Sequence, residues 1–366
     1  MFQKKIFCSY ILLSSFLFFH ISPLTASSVL NEYFSLYNAP EALSMGNAFD
    51  ADSPGYLAPF YNPAGLSNYI AEKKKEIIPF DYTQVMSTGG FSSAWKAQSL
   101  GIYPLMGPMQ TNSQYSFFQL AMIPSFRFES FEVALLISYR YAAQSSSSGI
   151  QIDAVEDVVP TLAKSFHFFH RLIHIGFTGQ VIDRNALQGS YAFGTFSNGN
   201  SVLSKMSEGI GVSLTTGIMA TVPVKFLPTM GVVWHNMFDT AFHSIHFLNG
   251  RALSNRVPNS LPQTFNAAFS IHPYLTKRFR GTFAFEMQHI EMGQLGVLGR
   301  MHLGAEVRND YGFLIWAGLN EIYPTFGLGL RRPQGTFEVG TYAENIGTSS
   351  NMNGDRRFFL RYTLTL

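Results

Sequence analysis

Along much of the chain, apolar and polar residues alternate one by one. In Met301-His302-Leu303-Gly304-Ala305-Glu306-Val307-Arg308, Met, Leu, Ala and Val share one side, and His, Gly, Glu and Arg share the other. Gly281 to Gln288 repeats the pattern with Phe283, Phe285 and Met287 on the apolar side, and so do "TFGLGLR" (325–331) and "TFEVGTYAE" (336–344). A period of two predicts β-strands with one greasy face and one polar or small face. Longer runs at 115–124, 131–141, 172–183 and 209–222 read as further strands. Turn formers such as Asn309-Asp310, "RRPQG" (331–335) and "NMNGD" (351–355) separate neighbouring runs. Spacers this short predict antiparallel hairpins, because parallel neighbours need a crossover of a dozen residues or more. The pattern gives about 14 strands and no convincing helical period after residue 80.

Composition turns this all-β pattern toward the membrane. Only 13% of the 366 residues are charged and 15% are aromatic, whereas an average soluble domain is about 25% charged. Half-apolar strands need a surface to bury them. In lipid, strands satisfy their backbone only when the sheet closes on itself. The expected fold is therefore an all-β transmembrane antiparallel barrel of about 14 strands, and a secreted sandwich would leave the greasy faces without a second layer. Gly, Ser, Thr, Gln and Asn on the other faces suit a lumen. Tyr103, Tyr139, Tyr141, Tyr323 and Tyr342 are candidates for interfacial girdles. Residues 142–150, 188–207 and 239–262 are predicted as outer loops. The net charge of +2 argues for no nucleic-acid partner.

The two ends carry their own signals. Lys4-Lys5, the apolar run Ile6 to Phe19, and small residues to Ser28 read as a signal peptide over 1–28. The run's 14 residues would reach about 21 Å as a helix, short of the roughly 30 Å hydrocarbon core. Cys8 is the single cysteine and lies inside that run, so disulfides and thiolate chemistry are excluded from the mature chain. At the other end, "RRFFLRYTLTL" places Phe358, Leu360, Tyr362, Leu364 and Leu366 on one face. An amphipathic terminal strand of this kind is what the outer-membrane barrel assembly machinery reads, so these five residues are the expected assembly signal.

Candidate chemistry is sparse. His235, His243 and His246 surround Asp239, but on a strand His243 and His246 would point to opposite faces, so no metal is expected. Asp50 and Asp52 lack the glycine and ligand spacing of a calcium loop. "AEKKKE" (71–76) reads as a solvated periplasmic turn. No hydrolase, phosphate-loop or zinc-protease signature is present. The chain is expected to be neither an enzyme nor a cofactor binder.

One segment departs from the alternation. "FDADSPGYLAPFYNPAGL" (49–66) is dense in proline, glycine and aromatics, so it is neither a long helix nor a sheet interior. With Met45-Gly46 before it, then Asp52 and Tyr61-Asn62-Pro63-Ala64-Gly65-Leu66, it resembles the N-terminal signature of the FadL-like outer-membrane barrels. Within them it is most similar to the branch that includes PorV and the UPF0164-type proteins, and "HLGAEVRNDYGFLIWAGLN" (302–320) and "TFGLGL" also resemble that branch's last strands. Ser53-Pro54-Gly55-Tyr56 stands where relatives carry a second Asp and an alanine run, and no long-chain fatty-acid specificity follows from the likeness.

The resemblance implies a hatch segment (29–78) folded into the lumen of a barrel (79–366), in the outer membrane of a diderm bacterium. A barrel of about 14 strands encloses more space than its own side chains fill, so a plug has a physical reason. Phe49, Asp52, Tyr56, Phe60, Tyr61, Asn62, Pro63, Ala64 and Gly65 are the expected hatch and ligand-path residues. Asn62 would bond neighbouring backbone, and Gly65 would allow a turn or a close approach to the wall. Passive passage of hydrophobic or amphipathic small molecules is the expected function. A PorV-like partner role in protein export is the alternative, and a surface antigen with a blocked lumen is a third reading. Expected partners are outer-membrane lipid, the assembly machinery, and either a hydrophobic ligand or a secretion-system protein.

Overall fold

A computed structural model describes residues 35–53, 55–68, 75–87, 115–146, 149–192, 195, 204–245, 256–292, 296–347 and 351–366. The signal-peptide reading, Cys8, Tyr103, His246 and residues 71–74 of the basic cluster lie outside them. Seventeen strand segments form one antiparallel sheet. They are β1 (Lys75–Ile78), β2 (Phe80–Ser87), β3 (Tyr115–Met122), β4 (Ser125–Phe128), β5 (Phe131–Ser146), β6 (Gly149–Phe168), β7 (Ile173–Tyr191), β8 (Ser207–Thr221) and β9 (Thr229–His235). The series continues with β10 (Phe242–His243), β11 (Thr264–Ile271), β12 (Phe279–Met287), β13 (Met301–Asn309), β14 (Phe313–Asn320), β15 (Tyr323–Arg332), β16 (Gly335–Asn345) and β17 (Gly354–Leu364).

Three of the segments are continuations. Pro79 separates β1 from β2 and Pro124 separates β4 from β3, because proline has no N–H to give the ladder. β10 resumes the pairing of β9 with β8 after a bulge at 236–241. Fourteen strands therefore follow one another round the ring, and β17 closes it on β2 from Leu364↔Phe80 to Arg357↔Ser87. Each strand pairs with its neighbour in sequence, as the short turn signals predict. Pro160 leaves a gap in the ladder of β6 and β7, whose pairing skips from Val158↔Asp183 to Thr161↔Gln180.

The two faces divide as the alternation dictates. On β8, Val212, Leu214 and Ile218 face outward and are exposed, whereas Ser213, Thr215 and Met219 face inward and are buried. On β12, Phe283 and Phe285 point out while Thr282, Ala284 and Glu286 point in. On β17, Phe358, Leu360 and Tyr362 lie on the outer face, and Arg357, Phe359, Arg361 and Thr363 lie inside. Apolar outside and polar inside is the arrangement of an outer-membrane barrel. A charge on such a lipid face costs about 2–4 kcal/mol at the midplane. No described helix is long and apolar enough to cross a membrane.

Three expectations change. Residues 142–146 and 149–150 are strand rather than loop, as are 188–191, so β5, β6 and β7 reach 16, 20 and 19 residues. About 9–11 tilted residues suffice to span, so these three strands are longer than spanning requires. Ser and Gln at these positions are compatible with a strand whose neighbours continue alongside it. Tyr141 and Tyr342 are buried rather than interfacial: Tyr141 packs with Ala143, Ile152, Ala154 and Leu187, and Tyr342 faces inward near Arg357. Finally, β1 begins at Lys75, before the expected boundary at 79. Its Glu76 carboxylate accepts a bond from the Arg127 guanidinium instead of facing solvent.

Candidate functional site: the segment inside the barrel

Residues 35–68 lie against the inward faces of the strands. They contain α1 (Pro40–Ser44), a 3-10 helix (Gly55–Phe60) and α2 (Gly65–Asn68). Pro40 opens α1, where its missing N–H costs nothing. The chain leaves α1 through Gly46 at φ +62° and Asn47 at φ 65°, both types that tolerate the left-handed region. Asn62 then organises the second turn. Its Oδ1 accepts the Ala64 N–H at 3.1 Å while its carbonyl accepts the Gly65 N–H at 2.9 Å. Its Nδ2 donates to Asp50 O at 2.9 Å and to Ile218 O of the wall at 3.3 Å. With Pro63 next, this is an Asx-type turn leading into α2, which gives the Asn-Pro-Ala-Gly sequence a local reason.

Of the two roles expected of Gly65, it sits in the turn closed on Asn62 O rather than against the wall. A Cβ there would lie 1.9 Å from Ser53 O, so the close approach is within the segment itself. The wall is approached at its own glycines instead. A Cβ on Gly176 would sit 2.3 Å from Ala64 N, on Gly217 2.0 Å from Asn62 Oδ1, and on Gly318 2.5 Å from Gly46 N. At Gly176 and Gly318 backbone thus rests directly on backbone, and at Gly217 the Asn62 side chain does, which fixes the segment against one position of the wall.

Polar anchors concentrate on the side formed by β11 to β17. Glu286 Oε2 accepts both the Phe49 and Asp50 N–H groups, at 2.7 and 2.8 Å. Asn266 Nδ2 donates to Asp50 Oδ2 at 2.8 Å, Ser270 to Ala51 O at 3.1 Å, and Thr325 to Ser44 O at 2.7 Å. His302 Nδ1–H donates to Gly46 O at 2.9 Å. Arg361 donates to Asp81 at 2.8 Å and to Glu338 at 3.3 Å, and lies 3.8 Å from Glu41 of α1. The Tyr56 ring stands 5.3 Å from that guanidinium. At the segment's far end, Ser67 donates to His174 Nδ1 at 2.7 Å, while the other ring nitrogen donates to Arg171 O.

The side formed by β3 to β7 is different. Ala121, Ala134, Leu136, Val159 and Ile182 face inward, with Ile123 in the connection to β4. They belong to one buried cluster with Tyr37, Phe49, Leu57 and Tyr61 that also takes in Ala284, Leu314 and Trp316 of β12 and β14, and Ser165 of β6 donates to Ala64 O at 3.2 Å. Phe49 packs edge-on to Tyr61 at 5.0 Å, and Phe60 to Tyr37 at 5.6 Å. The Tyr61 hydroxyl also accepts the Ala39 N–H at 2.6 Å. Of the residues singled out in the sequence, Phe49 and Tyr61 are buried, and Tyr56 and Phe60 are partly so.

Asp52 lies within 3.9 Å of His272 Nδ1. Burial pushes its carboxyl up to about 7, with Arg308 pulling the other way. His235 approaches Asp50 at 3.9 Å, and His243 is exposed on β10. Among the described residues no three His, Cys, Asp or Glu side chains are placed to hold a metal ion.

Alternation alone could not identify Glu286, Asn266, Ser270, Thr325, His302 or Arg361 as anchors. It places each on the polar face of its strand and says nothing of a partner some 200 residues away.

The sequence matches no protein-family model and no curated protein. Solved structures are similar in fold. The Ralstonia pickettii toluene transporter TbuX superposes with a TM-score of 0.54 at 10% identity, over 89% of this chain and 98% of its own. The CymD monoaromatic hydrocarbon channel gives 0.53 at 11% identity over 89% and 96%. The Pseudomonas putida toluene transporter TodX gives 0.51 at 10% over 90% and 97%. The closed antiparallel barrel of 14 strands expected from the sequence is the fold observed, and it is the fold these structures share.

Proposed function

We propose that this outer-membrane barrel passes hydrophobic or amphipathic small molecules across the membrane. The observation that carries the reading is the asymmetry around the luminal segment. Residues 44–51 are held by directed hydrogen bonds to β11–β15, whereas Phe49, Leu57 and Tyr61 meet Ala121, Leu136, Val159 and Ile182 of β3–β7 by apolar contact, the polar bonds to β6 and β7 falling further on, at Ala64 and Ser67. Parting an apolar contact strands no buried donor, whereas breaking the polar side would cost about 1–3 kcal/mol per group left unpaired. A greasy solute replaces the lost contacts with its own, so the path runs along the apolar side. Phe49, Tyr56, Phe60 and Tyr61 offer it ring surfaces, while Asn62 to Gly65 hold the turn and Asp52 borders it. That the similar structures above are a monoaromatic hydrocarbon channel and toluene transporters favours this reading.

The finer likeness to the PorV and UPF0164-type branch rests on Met45-Gly46, Asp52 and Tyr61 to Leu66. A stable protein complex formed through the outer loops would be the mark of an export role. Passage is tested by uptake of a panel of apolar solutes into cells whose own hydrocarbon channels are deleted. Uptake is expected to depend on the chain and to change several-fold in Phe49→Ala/Tyr61→Ala, with a charged solute of equal size unaffected. Identical apolar uptake with and without the chain would overturn the reading.

A further inference from the structure

The short turns at 129–130, 169–172, 222–228, 272–278, 310–312 and 333–334 all lie at the end of the barrel that holds Lys75 and Leu366. Short turns face the periplasm in such barrels. Along this rim, cations sit over exposed aromatic rings again and again. Lys225 Nζ is 4.9 Å from the Phe226 ring, Arg280 5.4 Å from Tyr274, Arg278 5.8 Å from Tyr311, and Lys164 5.8 Å from Phe166. Arg332 joins them through the Tyr311 carbonyl at 2.6 Å. The rings are themselves solvent-facing, Tyr274 at 69% and Tyr311 at 57% exposure.

Exposed acids in the described residues of these turns are Glu129 and Asp310 alone. None of the five cations has a carboxylate within ion-pair distance among the described residues; the bonds they make are to neutral groups, such as Ser130 Oγ for Lys164 and the Tyr311 hydroxyl for Arg278. The rim continues directly into the outward apolar wall at Phe166, Phe279 and Phe313.

From this alternation we infer that the rim is a binding belt for anionic phospholipid of the inner leaflet. Each pair presents both halves of such a ligand. The ring lies at the level where acyl chains begin, and the ammonium or guanidinium above it keeps N–H groups free for a phosphate oxygen. Basic side chains beside an anionic membrane surface each contribute favourably, and the attraction falls off within a Debye length. A neutral zwitterionic headgroup offers the same phosphate with its own cation alongside, so the belt discriminates by net charge.

The test uses the full chain in detergent, with phosphatidylglycerol and phosphatidylcholine in competition and retained lipid counted by native mass spectrometry. Wild type should retain phosphatidylglycerol over phosphatidylcholine by about tenfold at low salt. Lys164→Gln/Lys225→Gln/Arg278→Gln/Arg280→Gln should cut this to about twofold, while Lys205→Gln/Arg256→Gln at the opposite end leaves it unchanged. Should the fourfold variant not fold, salt answers with the wild type: a rise from 0.05 to 0.5 M should collapse the preference. Equal retention of both lipids, a salt-independent preference, or an equal loss in the opposite-end variant would each overturn the proposal. Equal retention would leave the rim for a protein partner.

Discussion

Replacing Glu286 by alanine removes the single oxygen that accepts two consecutive backbone amides, those of Phe49 and Asp50, at 2.7 and 2.8 Å. Both residues are nearly fully buried, so the amides lose their acceptor in a place with little water. A buried donor left unpaired costs about 1–3 kcal/mol. Alanine opens a space the size of a carboxylate beside a polar lumen, and water entering it brings each amide toward the low end of that range. The expected local loss is about 2 kcal/mol for the two, since bridging water is nearly as good a partner. At 1.4 kcal/mol per tenfold, hydrogen exchange at those two amides should quicken about 30-fold. The barrel ladder should keep its protection, because Glu286 contributes only its side chain to the lumen. Glu286→Gln keeps an oxygen for the amides in a different geometry, so a smaller loss of about 1 kcal/mol and a fivefold change are expected. Exchange mass spectrometry over 46–53 measures both. Wild-type rates in Glu286→Ala would refute the anchoring, and a simultaneous loss of protection in β12 and β13 would refute its local character.

Three further outcomes follow from the same geometry. Gly318→Ala would place a Cβ 2.5 Å from Gly46 N and from Leu303 O; with backbone on both sides nothing can rotate away, so about 1–3 kcal/mol of overpacking should speed proteolysis within 39–53. Asp52 has its carboxyl raised to about 7 by burial, so the folded segment binds its proton more tightly than the unfolded chain does. Seating of 49–53 is then most favourable at low pH and weakens as pH climbs from about 4 through 7. Exchange protection read from pH 5 to 8 should fall, and Asp52→Asn should flatten the profile. Arg184→Ala would strand Asp157, which now takes two bonds of 2.7 Å from the buried guanidinium. Losing one partner of a buried pair costs about 3–5 kcal/mol, visible as a lower midpoint in the heat-dependent gel shift of the barrel.

Much of the wall was legible because a strand's faces alternate whatever else the chain does. Phe283 and Phe285 had to point one way and Thr282 and Glu286 the other, and a low charge content named the solvent on the greasy side. Loop lengths were less legible. The Ser-Gln-rich stretches after Tyr141 and before Tyr191 carry no apolar alternation, yet β5, β6 and β7 continue through them because each is a ladder partner of the next. Tyr342 illustrates the same limit: its position near a strand end suits a girdle, but its parity aims it into the lumen beside Arg357.

Local chemistry by itself determined the turn at Asn62-Pro63, the strand periods, and the segregation of polar from apolar faces, since each depends on neighbours within a few residues. Tertiary structure alone decided which polar residues hold the luminal segment. Glu286 meets the amides of Phe49 and Asp50 across more than 230 positions, and Gly318 likewise meets the backbone of Met45 and Gly46, more than 270 positions earlier. Such contacts depend on ring closure, which brings strands from the two halves of the chain to face one lumen. No spacing along the sequence encodes that distance.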